Sequence, residues 1–171
     1  WAKLNNLKQA AKTMNFLTEH GISSYGELES KLNAVSARRD TAHAEIKRIE
    51  SRSAELALVM KHAETYRQLK PLYDRYRKSN DKEKLLRGHE SEIILFEAAT
   101  RELKRLGAVP LPTTESMKTE LATLSAEKER LLAEYKTART EAQEYDTVKQ
   151  NVDALLTVPK EQEQQRRHEL E

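Results

Sequence analysis

Two long stretches of the chain, residues 25–63 and residues 117–155, carry mostly apolar side chains at alternating spacings of three and four residues. This spacing places the side chains on one narrow stripe of a helix, here called the seam, which a lone helix cannot bury. The stretches are of matching length, so we expect two long helices that pair antiparallel within one chain. The first seam consists of Tyr25, Leu28, Leu32, Val35, Arg39, Ala42, Ile46, Ile49, Ser53, Leu56, Met60 and Ala63. The second consists of Met117, Leu121, Leu124, Lys128, Leu131, Tyr135, Ala138, Ala142, Tyr145, Lys149, Val152 and Leu155.

The composition favours long solvated helices over a compact globule. Hydrophobic residues make up 37% of the chain and aromatic residues 5%, while 34% of the residues are charged. The sustained periodicity and the net charge of only +2 argue against a disordered chain. We therefore predict an all-α fold, a long antiparallel helical hairpin of the coiled-coil type. The alternative is a parallel homodimeric coiled coil, which the proline at position 71 disfavours because it interrupts the first helix.

The sequence predicts a single elongated helical domain over residues 1–171. Its elements are an N-terminal helix over 1–20, a long helix over 24–69, a tip over 70–112 with a helix at about 84–106, a second long helix over 113–156 and a polar tail over 157–171. We expect the N-terminal helix to fold back on the open end of the hairpin, where the outer ends of both long helices meet.

Several helix ends carry capping residues. Gly21 and Gly107 suit the left-handed conformation that often closes a helix C-terminus. Either Ser23 or Ser24 suits the N-cap of the next helix, and Thr113 suits that of the last one. Glu27 completes a capping-box pattern with Ser24.

Two prolines predict breaks in the long helices. Pro71 lacks an amide donor and clashes with the preceding turn, so we expect a kink or a short break near Lys70. Pro159 follows the second seam, so we expect the last helix to end at about Leu156. The expected buried face of the tip helix consists of Ile93, Phe96, Ala99 or Thr100, and Leu103.

The chain has no cysteine, which excludes a disulfide framework, a cysteine zinc site and a thiol nucleophile. This fits a reducing cytoplasm, where we expect the protein to act. No apolar run approaches the roughly 20 residues needed to span a bilayer, so no membrane span is predicted. The chain begins at Trp1 without an initiator methionine and ends with Leu170 and Glu171, which leads us to expect a piece of a longer protein.

No combination of residues predicts catalysis. The histidines lack the spacing of a metal site, and the glycines are too isolated to form a phosphate-binding loop. The carboxylates alternate with lysine and arginine at helical spacing, as on a solvated face. We therefore expect no enzymatic activity, no cofactor and no metal in this chain. The histidines concerned are His20, His43, His62, His89 and His168.

One segment, residues 67–89, is distinctly basic; we call it the basic segment. Tyrosines alternate with its basic residues, so the cations can neutralise phosphates while the rings stack on bases. In the alternative interpretation, the tyrosines are core aromatics of a helical tip, surrounded by ordinary surface charges. The candidate nucleic-acid-binding residues are Arg67, Lys70, Tyr73, Arg75, Tyr76, Arg77, Lys78, Lys82, Lys84 and Arg87.

Three parts of the sequence resemble a known family. They are WAKLNNLK at residues 1–8 with LTEHGI at 17–22, YRQLKPLYDRY at 66–76, and LPT at 111–113 leading into Leu121, Leu124, Glu127 and Lys128. Together they resemble the region downstream of the nuclease domain in relaxases of Gram-positive mobile elements, the MobA-type mobilisation nucleases.

The resemblance implies a non-catalytic C-terminal accessory domain, which contacts DNA or presents the relaxase to other proteins of the DNA-transfer machinery. Relaxases of this kind cleave one DNA strand with a tyrosine and a metal held by clustered histidines. This chain has no such cluster, so we do not expect Tyr73 and Tyr76 to be nucleophiles, and cleavage would belong to a preceding domain. The alternative function is that of a structural coiled-coil spacer or assembly module without nucleic-acid binding.

Overall fold

The computed structural model describes the backbone of residues 2–168 and the side chains of residues 5–157. Within that range the chain forms helices α1 (Ala2–Glu19), α2 (Tyr25–Lys78), α3 (Lys82–Arg105) and α4 (Thr114–His168), and no strand. The predicted all-α class is confirmed. Contacts divide the chain into two units: Trp1–Ala44 with Leu131–Glu171 form unit 1, and Glu45–Arg130 form unit 2. Helices α2 and α4 contribute to both units, and the single domain stays a prediction.

Helix α1 ends as its sequence predicts. Gly21 has a φ of +60°, the left-handed conformation that a residue with a Cβ adopts only with strain. The Ile22 N–H donates to the Leu17 carbonyl at 2.8 Å, and the Gly21 N–H donates to the Thr18 carbonyl at 3.1 Å. These two bonds form a Schellman motif, which satisfies carbonyl groups that the helix end would otherwise leave open.

Both candidate serines, Ser23 and Ser24, take part in capping the start of α2. The Glu27 N–H donates to Ser24 Oγ at 3.2 Å, as the capping-box pattern predicts. The Glu27 carboxylate, however, accepts from the N–H of Ser23 at 2.7 Å and from its hydroxyl at 2.9 Å. The Ser23 hydrogen bonds hold the pKa of Glu27 below its usual value, because they stabilise the charged carboxylate.

We predicted a kink or a short break near Lys70. The break is wrong, because α2 continues through Pro71 to Lys78, and the kink stays a prediction. A proline inside a helix removes one backbone hydrogen bond. Here the helix is held on both sides of Pro71 by ring packing: Tyr66 and Tyr73 lie 5.0 and 4.2 Å from the ring of Phe96, between ring centroids. The local cost of the proline is therefore opposed by tertiary contacts on either side of it.

The last helix is also longer than predicted. We expected α4 to end at about residue 156, whereas it continues past Pro159 to His168. The predicted tail over 157–171 is therefore wrong as far as residue 168, and residues 169–171 lie outside the described residues. Thr113 caps the start of α4 as predicted, since its Oγ1 accepts from the Ser116 N–H at 3.1 Å.

Helix α3 begins two residues before the predicted position of about 84. The Asp81 side chain accepts from the Lys84 N–H at 3.1 Å and caps the helix there. At its other end, Gly107 has a φ of +68° and terminates the helix as predicted. The expected buried face is confirmed, because Ile93, Phe96, Ala99 and Leu103 are all buried.

In unit 1, α2 and α4 run antiparallel. Tyr25 on α2 donates its hydroxyl to Asp153 at 2.6 Å, and Arg38, further along α2, meets Glu141, earlier on α4, at 2.6 Å. Helix α1 covers the same end of the pair, as predicted. The packed residues there are Leu28, Tyr145 and Val148, with Phe16, Leu17, Ile22, Leu32, Val35 and Val152 around them.

In unit 2, α2 and α4 are again antiparallel. Lys128 meets Glu50 at 2.8 Å, and Arg52, further along α2, meets Glu120, earlier on α4, at 2.7 Å. These pairs are solvent-exposed, so each contributes at most about 1 kcal/mol, and burial of the seam provides most of the stability. The core of the unit consists of Leu56, Val59, Ala63, Leu103, Ala108 and Met117.

The seam prediction is confirmed. Every seam residue is buried or half-buried except Tyr25 and Leu155, the outermost residues of the two seams, which are 37% and 51% exposed. The predicted helical hairpin, in which α2 and α4 are antiparallel partners, is confirmed with it. Lys128, a polar seam residue, reaches across to Glu50 on α2, which is how such residues fix the register of paired helices.

Candidate nucleic-acid interface

All ten candidate residues of the basic segment lie in unit 2. Seven are on the last part of α2, and Lys82, Lys84 and Arg87 are on the first turns of α3. The basic side chains among them are exposed, whereas the rings of Tyr73 and Tyr76 are half-buried. The candidate cations are therefore accessible to solvent, whereas the candidate rings are partly covered by protein.

The tyrosines pack on one another and on Phe96. The Phe96 ring stacks with Tyr66 at 5.0 Å and with Tyr73 at 4.2 Å, and the Tyr76 ring lies 6.0 Å from that of Tyr73, all between centroids. The Tyr73 hydroxyl donates to the Glu97 carboxylate at 3.4 Å. Rings that stack against protein are occupied on that face, which is the arrangement expected of core aromatics rather than of a platform for bases.

Three of the candidate cations make contacts within the protein. Arg67 donates to the Pro112 carbonyl at 2.6 Å and to Thr114 Oγ1 at 2.8 Å, which ties α2 to the start of α4. Lys70 pairs with Asp74 at 2.9 Å, and this hydrogen bond raises the pKa of the lysine. Arg87 pairs more loosely with Glu83 at 3.5 Å.

The other five candidate cations are exposed and have no ion pair among the described residues. Three of them stand in the last turn of α2, where the partial negative charge of the helix C-terminus also stabilises them. Their charges remain available to a partner in solution. The five residues are Arg75, Arg77, Lys78, Lys82 and Lys84.

Arg77, one of these five residues, also lines an open groove of about 460 Å³ in unit 2. Its lining residues come from α2 and from the second half of α3. They are Tyr73, Arg77, Phe96, Glu97, Thr100, Arg101 and Lys104.

Two of the cations in this groove, Arg101 and Lys104, were missed in the sequence because they lie outside the basic segment. A signal was present, however. Both residues share a stretch of helix with Phe96 and Thr100, at spacings that place them beside the buried face.

The histidines lie apart from one another in the structure. His20 stacks on Phe16 with 4.0 Å between ring centroids, His43 stacks on Tyr135 at 5.5 Å, and His89 Nδ1 lies 3.3 Å from the Glu92 carboxylate. The His168 side chain lies outside the described side chains. Within the described residues, no three histidine, aspartate or glutamate side chains are grouped so that they could hold a metal ion.

In the described part of the chain, no helix has the length and apolarity to cross a bilayer. No protein-family model, no curated protein and no solved structure matches this chain. The resemblance to relaxases therefore rests on the sequence segments quoted above.

Proposed function

We propose that this chain is a non-catalytic helical module that contacts DNA through the exposed cations of unit 2, as the C-terminal accessory part of a conjugative relaxase. The observation that carries the DNA contact is the group of five exposed cations at the end of α2 and the start of α3, none of which forms an ion pair with another described residue. The relaxase context is supported by the sequence resemblance. Such a role places the protein in the cytoplasm, with the DNA-transfer proteins as further partners.

The pairing of several arginines elsewhere in unit 2 supports this assignment. Arg48, Arg52 and Arg105 each meet a carboxylate at 2.7–2.8 Å, as expected for a helical surface that satisfies its own charges. Around residues 75–84 the cations lack such partners among the described residues. A local excess of positive charge of this kind attracts the phosphates of nucleic acids over a range set by salt screening.

The mode of contact is set by the aromatic packing. Tyr66 and Tyr73 stack on Phe96, so their contribution is to hold α2 and α3 together. Contact with phosphates then supplies the affinity, and phosphates carry no sequence information directly. We therefore expect binding that depends weakly on sequence and strongly on salt.

Fluorescence anisotropy with labelled single- and double-stranded DNA tests this function. The logarithm of the binding constant should fall linearly with the logarithm of the salt concentration. Replacing Arg75, Arg77 and Lys78 together by glutamine should weaken binding about tenfold at low salt and lower the salt slope by roughly 2, because up to three phosphate contacts are lost.

The matched control replaces Lys47, Lys61 and Lys118 by glutamine, which removes the same charge from exposed positions elsewhere in unit 2. We expect this control to change the affinity less than twofold. Undetectable binding of the unaltered chain at low salt, or binding that does not weaken with salt, would refute the DNA contact.

A second candidate function is that of a structural spacer or assembly module. Two observations favour it: α2 pairs extensively with α4, and the tyrosine rings pack against protein. Neither observation requires a bound ligand to explain it. Sedimentation equilibrium distinguishes its forms: a monomer at all concentrations fits a spacer, and a stable dimer fits an assembly module. Absence of DNA binding in the anisotropy experiment would leave this function as the better supported one.

A further inference from the structure

Three cations line the groove of unit 2, one from α2 and two from α3. They are Arg77, Arg101 and Lys104. All three side chains are exposed, and none forms an ion pair among the described residues. Several other arginines of the unit are engaged, as described for Arg52 and Arg67. Unpaired cations from two helices thus border one concave surface.

The other polar groups of the groove leave its charge positive. Glu97 is the acidic residue among the groove's described lining residues, and its carboxylate accepts a hydrogen bond from the Tyr73 hydroxyl at 3.4 Å. Thr100 Oγ1 donates to the Phe96 carbonyl at 2.8 Å, so its proton is already used. The donors that remain for a ligand are the two guanidinium groups and the ammonium group.

The chemistry of these donors fits phosphate. A guanidinium group presents parallel N–H donors that match two phosphate oxygens, while an ammonium group acts as a point charge. The aromatic rings bordering the groove, those of Tyr73 and Phe96, stack on each other at 4.2 Å, which leaves less ring surface for a base. A volume of about 460 Å³ lies within the roughly 300–1,000 Å³ usual for sites that hold small organic ligands, and exceeds what one free phosphate fills.

We infer that this groove is the site where the phosphodiester backbone of a single nucleic-acid strand binds unit 2, held by Arg77, Arg101 and Lys104. The inference rests on the proposed DNA contact and locates one part of it in this groove. It adds two residues of α3 to the interface, Arg101 and Lys104, which lie outside the basic segment. The bases of the bound strand point away from the ring floor, so sequence has little influence on affinity.

The double variant Arg101→Gln with Lys104→Gln tests the groove in the full chain, with fluorescein-labelled oligothymidylate of about 12 nucleotides as the probe. Loss of two phosphate contacts should lower the salt slope by about 1.4, since each contact to a single strand contributes about 0.7. At low salt the dissociation constant should rise at least fivefold.

Unit 1 offers a matched control on α4, Lys136→Gln with Arg139→Gln. These residues are of the same types, three positions apart, exposed and without an ion pair among the described residues. The control should change the dissociation constant less than twofold. Circular dichroism verifies that each variant folds. If the double variant does not fold, the single variant Arg77→Gln on α2 is compared with the control instead.

The outcomes separate the groove from the general function. If the unaltered chain binds no oligothymidylate, the proposed DNA contact fails and the inference fails with it. If the chain binds but the groove variant and the control lose affinity equally, the groove is wrong and the DNA contact stands. Free phosphate is the other ligand that these donors could bind, and titration with inorganic phosphate, followed by NMR of the backbone amides, tests it. If phosphate binds tightly and oligothymidylate does not displace it, the inference is overturned.

Discussion

Replacing Ala138 by aspartate is expected to lower the free energy of unfolding by about 3–5 kcal/mol, the usual cost of an uncompensated charge in a protein interior. Ala138 is a seam residue of α4 in unit 1, and its side chain is 0% exposed. A carboxylate there must either remain charged without water or take up a proton, and both cost free energy. Urea denaturation followed by circular dichroism at 222 nm measures the change.

The control for this prediction is Ala133→Asp, at an exposed position of the same helix. Both substitutions carry the same loss of helix propensity, about 0.5 kcal/mol, so their difference isolates burial. Equal destabilisation by the two variants would mean that position 138 does not face a partner helix, and it would contradict the seam assignment.

Replacing Phe96 by alanine is expected to cost about 3–5 kcal/mol, as is typical when a buried aromatic side chain is removed. Phe96 is 6% exposed, and its ring contacts both Tyr66 and Tyr73. Its loss leaves a cavity between α2 and α3 and removes the packing that opposes the cost of Pro71 within α2. Thermal and urea denaturation measure the loss.

Ile94→Ala is the matched control for Phe96→Ala, because Ile94 lies on the same helix but is 55% exposed. Its expected effect is within about 0.5 kcal/mol, as for most surface substitutions. If both variants lose little stability, the aromatic cluster does not hold unit 2 together. The tyrosine rings would then be freer to stack on bases than the phosphate-only contact assumes.

Local and periodic features were predictable from the sequence. The seam follows from residue spacing alone, since a period near 3.5 fixes which side chains share a helix face. The caps at Gly21 and Thr113 depend on residues close to each other in the chain, so their chemistry is visible there.

Features that depend on distant contacts were not predictable. The helix persists through Pro71 because Phe96 on α3 packs against rings on both sides of it, and no local pattern reveals that contact. The groove brings Arg77 together with Arg101 and Lys104, which are separated in the chain by the α2–α3 connection. The basic segment therefore contains the α2 residues of the groove, Tyr73 and Arg77, and none of its α3 residues.

Pulsed electron paramagnetic resonance between spin labels tests the antiparallel pairing of α2 and α4 within one molecule most directly. The chain has no natural cysteine, so Arg38→Cys with Glu141→Cys labels unit 1 specifically, and Arg52→Cys with Glu120→Cys labels unit 2. Labelled chain is diluted with unlabelled chain to remove signals between molecules. Since packed helices lie 8–10 Å apart, each pair should give a distance of about 2 nm including the label arms. Distances beyond about 4 nm, or a 2 nm signal that disappears on dilution, would contradict pairing within one chain.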